Sequence, residues 1–128
     1  INLANYHQEK TGALFAAATM VGASSCGYSP EDWRHLGITV GESYQIADDI
    51  RDVCASAEEI GKPTGQDEAN NRPNIAREIG VDEAVQLLRR MISEAIEKIP
   101  QCPGRAELQK RINAESQQFL PENMRDVA

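Results

Sequence analysis

Residues 41–52 read GESYQIADDIRD, and this segment decides the fold class of the 128-residue chain. Four of its polar side chains stand at i, i+3, i+4 and i+7, namely Gln45, Asp48, Asp49 and Asp52. Residues four apart on an α-helix are offset by only about 40°, so these four share one side of a helix. Apolar residues at 3- and 4-residue steps mark another side between 36 and 57. The segment is therefore predicted to lie in a long helix with a polar stripe and a buried face.

Helical patterns continue on both sides of this segment. Residues 4–26 are rich in Ala and Gly and lack proline, and Gly27 predicts the end of that first helix. Ser29 as N-cap and Pro30 at the first position predict that the central helix begins at 30, and its pattern runs to 59. Beyond it the sequence predicts a loop, a short helical turn, an amphipathic helix and a last helix, at 61–74, 75–79, 81–99 and 103–121.

Composition agrees with an all-α fold and excludes several classes of function. Aromatic residues make up only 5% of the chain, and no segment has a convincing strand pattern, so we expect a helical bundle that is one domain over residues 1–128. The net charge of −7, without a basic cluster, argues against a nucleic-acid partner. No apolar run approaches the roughly 18 residues of a membrane span. The three cysteines form no CxxC pair and indicate reduced thiols, which favours a cytoplasmic location.

The acidic stripe predicts a divalent metal, with a solvated acidic face as the alternative. Carboxylates at i, i+4 repel one another by a few tenths of a kcal/mol unless a cation lies among them. Mg²⁺ takes oxygen ligands and bridges carboxylates to phosphates. Lys10 lies on the preceding helix and Lys62 follows the acidic one, and lysine binds phosphate as a point charge. Carboxylates together with lysines from two other segments indicate a diphosphate site.

These motifs occur in an order that resembles a known family. They read KTGALF at 10–15, GxxYQxxDDxxD at 41–52, GKPxGxD at 61–67 and RPN at 72–74. The combination is similar to the trans-isoprenyl diphosphate synthases, or polyprenyl synthetases, and most of all to bacterial geranylgeranyl diphosphate synthases of the carotenoid-pathway type. The resemblance covers nearly the whole chain and implies the C-terminal part of an isoprenoid-synthase-like fold.

The resemblance also implies roles for individual residues. Asp48 would bind Mg²⁺, with Asp49 and Asp52 helping to hold the metal and its waters. Lys10 and Lys62 would bind the diphosphate of an allylic prenyl diphosphate. Thr11 and Gln45 would direct oxygens towards the carbocation that isopentenyl diphosphate attacks, with farnesyl or geranylgeranyl diphosphate as the product. Tyr44 stands where the family usually has Phe, which adds a hydroxyl to an aromatic wall.

One part of the family pattern is missing from the sequence. The family has two aspartate-rich motifs, and only the second is present, so the chain is expected to be a C-terminal portion that is inactive alone. In full-length form the family implies a homodimer. Two rival hypotheses stay open: a non-catalytic partner subunit of a prenyltransferase, and a terpene cyclase. The intact lysines and aspartates argue against the first rival, and the placement of KTG and GKP fits the second less well.

Overall fold

The computed structural model describes residues 3–58 and 73–125, and every regular element in those ranges is helical. Five α-helices follow one another along the chain: α1 Leu3–Ser25, α2 Arg34–Glu58, α3 Ile75–Ile79, α4 Val81–Glu97 and α5 Arg105–Gln117. Short 3-10 helices occupy Pro30–Trp33 and Glu122–Met124. The predicted all-α class is confirmed. None of the helices in the described ranges has the length and apolar character needed to cross a membrane.

Helices α1 and α2 approach each other so closely that their backbones touch. A Cβ added at Gly37 would lie 2.5 Å from both the Ala16 Cα and the Phe15 carbonyl oxygen. One turn later, a Cβ at Gly41 would lie 3.3 Å from the Gly12 Cα. Only glycine allows this approach, because any side chain at 37 would overlap main-chain atoms that cannot rotate away. The glycines therefore set the register in which residues 11–15 of α1 face residues 41–45 of α2.

The other side of α2 packs on α4 through aliphatic side chains. Ala47 and Ile50 are fully buried there, against Ala84, Leu88 and other residues of α4. The apolar stripe predicted for 81–99 is confirmed: Val85, Leu88 and Ile92 are buried in this core, and Ala95 and Ile99 are buried in a second cluster. Leu120, beyond α5, closes the core between α2 and α4. Burial of this stripe is the main stabilising contribution that the sequence pattern encodes.

A second cluster joins the first turn of α2 to the ends of α1 and α4. Trp33 is buried against Ala23 of α1, and Leu36, Ala95 and Ile99 belong to the same cluster. The Thr19 hydroxyl lies 2.7 Å from the Trp33 carbonyl oxygen, which fixes the connection between α1 and α2. The indole thus anchors the turn where the chain reverses direction.

Several predicted boundaries are wrong, and local geometry explains them. The helix predicted from 30 to 59 is divided: Pro30–Trp33 forms a 3-10 turn, Ser29 makes no side-chain cap, and α2 begins at Arg34. The last helix begins at Arg105 and not at Pro103, because Gly104 has φ +77°, a left-handed conformation that a right-handed helix cannot contain. That helix ends at Gln117, before Phe119.

Candidate active site

A side-chain hydrogen bond joins α1 to α2, the helix that carries the aspartate-rich segment. The Gln45 side-chain Nε2 donates a hydrogen bond to the Thr11 Oγ1 at 2.9 Å, across 34 residues of sequence. Both side chains are partly buried, and both lie directly beside the glycine contact between α1 and α2. The two residues predicted to act together are therefore neighbours. The reason is local, since no side chain at Gly41 separates the helices.

The two predicted diphosphate-binding lysines differ in what the structure describes. Lys10 is exposed on α1 and precedes Thr11, so its backbone lies beside the Thr11–Gln45 contact. Lys62 lies outside the described residues. The prediction that both lysines share one diphosphate is thus a proposal, for which the position of Thr11 next to Gln45 is the structural support.

Asp48 lies beside an arginine from its own motif. The Arg51 Nη2 is 3.3 Å from the Asp48 Oδ1, and the two side chains are about equally exposed, 36% and 40%. Arg51 also donates through Nη1 to the Phe119 carbonyl oxygen, and its guanidinium stacks on the Tyr44 ring at 5.6 Å. The cation that the repelling acidic stripe requires is thus supplied in part by Arg51. An ion pair this exposed contributes at most about 1 kcal/mol, so Asp48 stays available to other cations.

An aromatic cluster surrounds this arginine. Tyr44 packs against Phe15 of α1 with ring centroids 5.8 Å apart, and against Phe119 edge-to-face at 5.3 Å. Tyr44 is itself 37% exposed. The family resemblance implied an aromatic wall at position 44. In the structure, aromatic side chains from three segments of the chain meet there. The Tyr44 ring of this cluster contacts Arg51, which pairs with Asp48.

Asp49, the second aspartate of the motif, faces a different element. Its Oδ2 accepts a hydrogen bond of 3.0 Å from the backbone N–H of Ile75, the first residue of α3. The Asn74 side chain donates to the Asp49 backbone carbonyl oxygen at 3.1 Å. The acidic stripe is thus divided, with Asp48 next to Arg51 and Asp49 next to the start of α3.

A cleft of about 700 Å³ opens between α1, α2, α3 and α4. Its walls include Gly12 and Ala16 of α1 and Leu87 and Met91 of α4, and Gln45 and Asp49 of α2 also line it. The charged side chains that line the cleft are Glu9, Arg34, Glu42, Asp49 and Glu78. A cleft of this volume that combines apolar walls with polar groups can hold a small molecule. Gln45 and Asp49 join this cleft to the acidic stripe.

Comparison with known proteins identifies the family. The polyprenyl synthetase family model matches residues 2–111. The chain belongs to the polyprenyl synthetase family. It is 48% identical over 121 residues to a geranylgeranyl diphosphate synthase of Cereibacter sphaeroides, covering 94% of this chain and 42% of the relative.

Two further relatives belong to other bacteria. A geranylgeranyl diphosphate synthase of Rhodobacter capsulatus is 49% identical over 112 residues, 88% of this chain and 39% of that protein. A dimethylallyltranstransferase of Fischerella ambigua is 36% identical over 92 residues, 70% of this chain and 27% of that protein. The chain spans about two fifths of the length of the two geranylgeranyl diphosphate synthases that it matches. No solved structure matches it significantly.

The carboxylates of α2 fit Mg²⁺ shared with a phosphate. Asp48 and Asp52 stand one helical turn apart, and both are accessible. Within residues 3–58 and 73–125, no group of three His, Cys, Asp or Glu side chains could hold a metal by itself. Mg²⁺ is usually bound through one or two carboxylates plus substrate phosphates and waters, which is the arrangement that two carboxylates on one helix allow.

Three residues with a clear place in the site were given no role from the sequence. Arg51 lies beside Asp48, the Phe119 carbonyl oxygen accepts a hydrogen bond from Arg51, and Asn74 holds Asp49. Asn74 followed Pro73 in the RPN motif, and an Asn that precedes a helical turn is a strong N-cap signal. For Arg51, its position inside the DDIRD segment was the only signal. For Phe119, 68 residues from Arg51, the sequence contained none.

Proposed function

We propose that the protein is a trans-prenyltransferase that condenses isopentenyl diphosphate with an allylic prenyl diphosphate to make geranylgeranyl diphosphate. Membership of the family and the names of the two geranylgeranyl diphosphate synthases reported above support this activity. The observation that carries it is the Thr11–Gln45 hydrogen bond, because it joins the KTG segment to the aspartate-rich helix. Farnesyl diphosphate is the alternative product.

In this proposal the reaction begins at the bond between the allylic carbon and diphosphate. That C–O bond breaks and the diphosphate leaves with the electron pair. The double bond of isopentenyl diphosphate then attacks the allylic cation, and transfer of a proton to the released diphosphate restores an alkene. Lys10 and Lys62 bind the departing diphosphate and offset its charge. When bound, Mg²⁺ supplies further positive charge at the leaving group.

Gln45 and Thr11 act on the positive end of the reaction. Because the Gln45 amide uses its Nε2 to donate to Thr11, its carbonyl oxygen remains as an acceptor that can stabilise positive charge. The aromatic cluster of Phe15, Tyr44 and Phe119 limits the access of water. In this proposal Asp48 and Asp52 hold the metal, and Asp49 assists from the side of α3.

The test is an assay of the complete protein with labelled isopentenyl diphosphate, an allylic diphosphate and Mg²⁺. The expected result is a C20 diphosphate, with turnover lost on chelation. Lys62→Ala should lower kcat and also raise KM for the allylic substrate, because this lysine also binds ground-state diphosphate. Glu94→Ala, which changes one exposed charge on α4, is the matched control.

The rival functions predict different results in the same assay. A partner subunit would show no turnover alone but would alter the rate of an added synthase. A terpene cyclase would release a hydrocarbon from a prenyl diphosphate without consuming isopentenyl diphosphate. Either result contradicts the proposal.

The proposal extends to assembly and location: a homodimer in the cytoplasm, with residues 1–128 alone inactive. The support for the last point is the apolar surface of α1, where Leu14 and Val21 are 63% and 65% exposed and no charged residue occurs from 11 to 30. Such a surface is typical of a face that another element covers. Light scattering of the complete protein tests whether it is a dimer. Expression of residues 1–128, followed by an activity assay, tests whether this part alone is inactive.

A further inference from the structure

Asn74 is a buried polar residue that bonds in two directions. It is only 7% exposed. Its Oδ1 accepts the Arg77 N–H at 3.0 Å and so caps the start of α3. Its Nδ2 donates to the Asp49 carbonyl oxygen at 3.1 Å. An amide is suited to this position, because it offers an acceptor to one element and a donor to another.

Asp49 receives a second bond from the same place. The Ile75 N–H donates to its Oδ2 at 3.0 Å, next to the bond from Asn74 to its carbonyl oxygen. Two bonds from adjacent residues fix both the main chain and the carboxylate of Asp49.

We propose that Asn74 is a positioning residue for the aspartate-rich motif: together with the Ile75 N–H it fixes the main chain and the carboxylate of Asp49. This inference rests on the proposed diphosphate chemistry of the same site. Asn74 acts through Asp49 and is not assigned a contact with the substrate. Groups that orient the residues around a metal typically change metal affinity or activity about 10–100-fold when they are removed.

The test separates the donor function of Asn74 from its capping function. Asn74→Ser and Asn74→Asp both keep a side-chain oxygen that caps α3, and Ser, Asp and Asn are comparable N-caps. Both remove the N–H donor to Asp49, but only Asn74→Asp adds a charge. Because Asn74→Asp is isosteric, it carries the test if the serine variant folds poorly. Each variant is made in the complete protein, and thermal melts and circular dichroism establish folding.

The decisive readout is Mg²⁺-dependent binding of inorganic pyrophosphate, measured by calorimetry beside the kinetics. Both variants should bind pyrophosphate in Mg²⁺ roughly tenfold more weakly than the parent, with little change in melting temperature. The kcat should fall by a similar factor, while KM for isopentenyl diphosphate stays near the parent value.

Three outcomes overturn the inference. One is a lowered melting temperature with unchanged pyrophosphate binding, which makes Asn74 purely structural. Another is weaker pyrophosphate binding in Asn74→Asp while a folded Asn74→Ser binds like the parent, which assigns the loss to the added charge. The third is a parent protein that does not bind pyrophosphate with Mg²⁺. If the parent binds pyrophosphate but does not condense prenyl diphosphates, the proposed function fails while the positioning role is still measured by the titration.

Discussion

The two sides of α2 are packed in different ways and have different tasks. Towards α4, the contact is a core of branched and small side chains around Ile50 and Leu88, both almost fully buried. Towards α1, the contact depends on the absence of side chains at Gly37 and Gly41. The aliphatic core can yield slightly without affecting the polar stripe, whereas the glycine contact directly sets the distance between Thr11 and Gln45. We therefore expect changes in the core to alter stability, and changes at the glycine contact to alter both stability and activity.

The largest expected effect is on the polar stripe itself. Asp48→Ala in the complete protein should lower kcat by about 10²–10³, or roughly 3–4 kcal/mol in the barrier, as for other groups that stabilise transition-state charge. The melting temperature without metal should change little, since the Asp48–Arg51 pair is well exposed and one repelling charge is removed. Steady-state kinetics at saturating Mg²⁺ and melts with and without metal measure both quantities.

The control for Asp48→Ala is Glu94→Ala, the same loss of one carboxylate from an exposed position on α4. It should leave both kcat and stability near the parent values. Near-native turnover in Asp48→Ala, together with a much lower melting temperature, would show that the aspartate is structural and the acidic stripe a solvated face.

The aliphatic core should show the opposite result. Leu88→Ala, at a site 2% exposed, should lower the free energy of unfolding by roughly 3 kcal/mol, within the usual range for buried leucines. Turnover per folded molecule should stay within about twofold of the parent value, because α4 does not pack on the side of α2 that contacts α1. Urea unfolding, followed by kinetics below the transition, gives both values. Leu87→Ala, a half-buried neighbour at the edge of the cleft, should lose clearly less stability. Equal losses at 87 and 88 would contradict the assigned core face.

The sequence predicted these two sides of α2 unequally well. The stripe on α4 was predicted correctly because its 3- and 4-residue spacing is strong, and burial follows directly from it. The resemblance implied a shared role for Thr11 and Gln45, but it did not predict that the two side chains bond to each other. The glycine contact was not predicted either, since a glycine in a helix indicates close packing without saying against which residue.

Long-range polar contacts were beyond sequence reasoning altogether. Asn74 meets Asp49 across 25 residues, and Arg51 meets Phe119 across 68. The local sequence pattern predicts helices but not which distant residues pack against them, so it predicts neither pairing. The predicted starts of two helices were wrong for a simpler reason. The left-handed conformation of Gly104 and the 3-10 turn at Pro30–Trp33 depend on backbone angles that composition does not specify.

A smaller effect is expected at the glycine contact. Gly37→Ala places a Cβ 2.5 Å from main-chain atoms of α1, so the helices must separate, at a cost of about 1–3 kcal/mol of stability. Turnover should fall as well, because separation of the helices stretches the Thr11–Gln45 bond. The matched control is Gly22→Ala on α1, where a new Cβ meets nothing within 4 Å and the gain in helix propensity should stabilise by about 0.5–1 kcal/mol. If both substitutions stabilise the protein, the close approach of α1 and α2 is wrong.

The smallest expected effect isolates the single bond between the two helices. Thr11→Val keeps the branched shape and removes the hydroxyl that accepts from Gln45. The loss should be about 1 kcal/mol in stability, the usual net contribution of one hydrogen bond, with a roughly fivefold loss in kcat if the bond also orients the Gln45 amide. Thr11→Ser, which keeps the hydroxyl, should recover most of the kcat.

A double-mutant cycle of Thr11→Val with Gln45→Met then measures the coupling between the two side chains, expected at about 0.5–1.5 kcal/mol for residues in direct contact. Because both side chains are only partly buried, water can replace the lost partner, and this keeps the expected effect below that of Gly37→Ala. A coupling near zero in both stability and turnover would mean that α1 and α2 do not meet at this bond in the working protein, and the proposed link between the KTG segment and the aspartate-rich helix would lose its structural support.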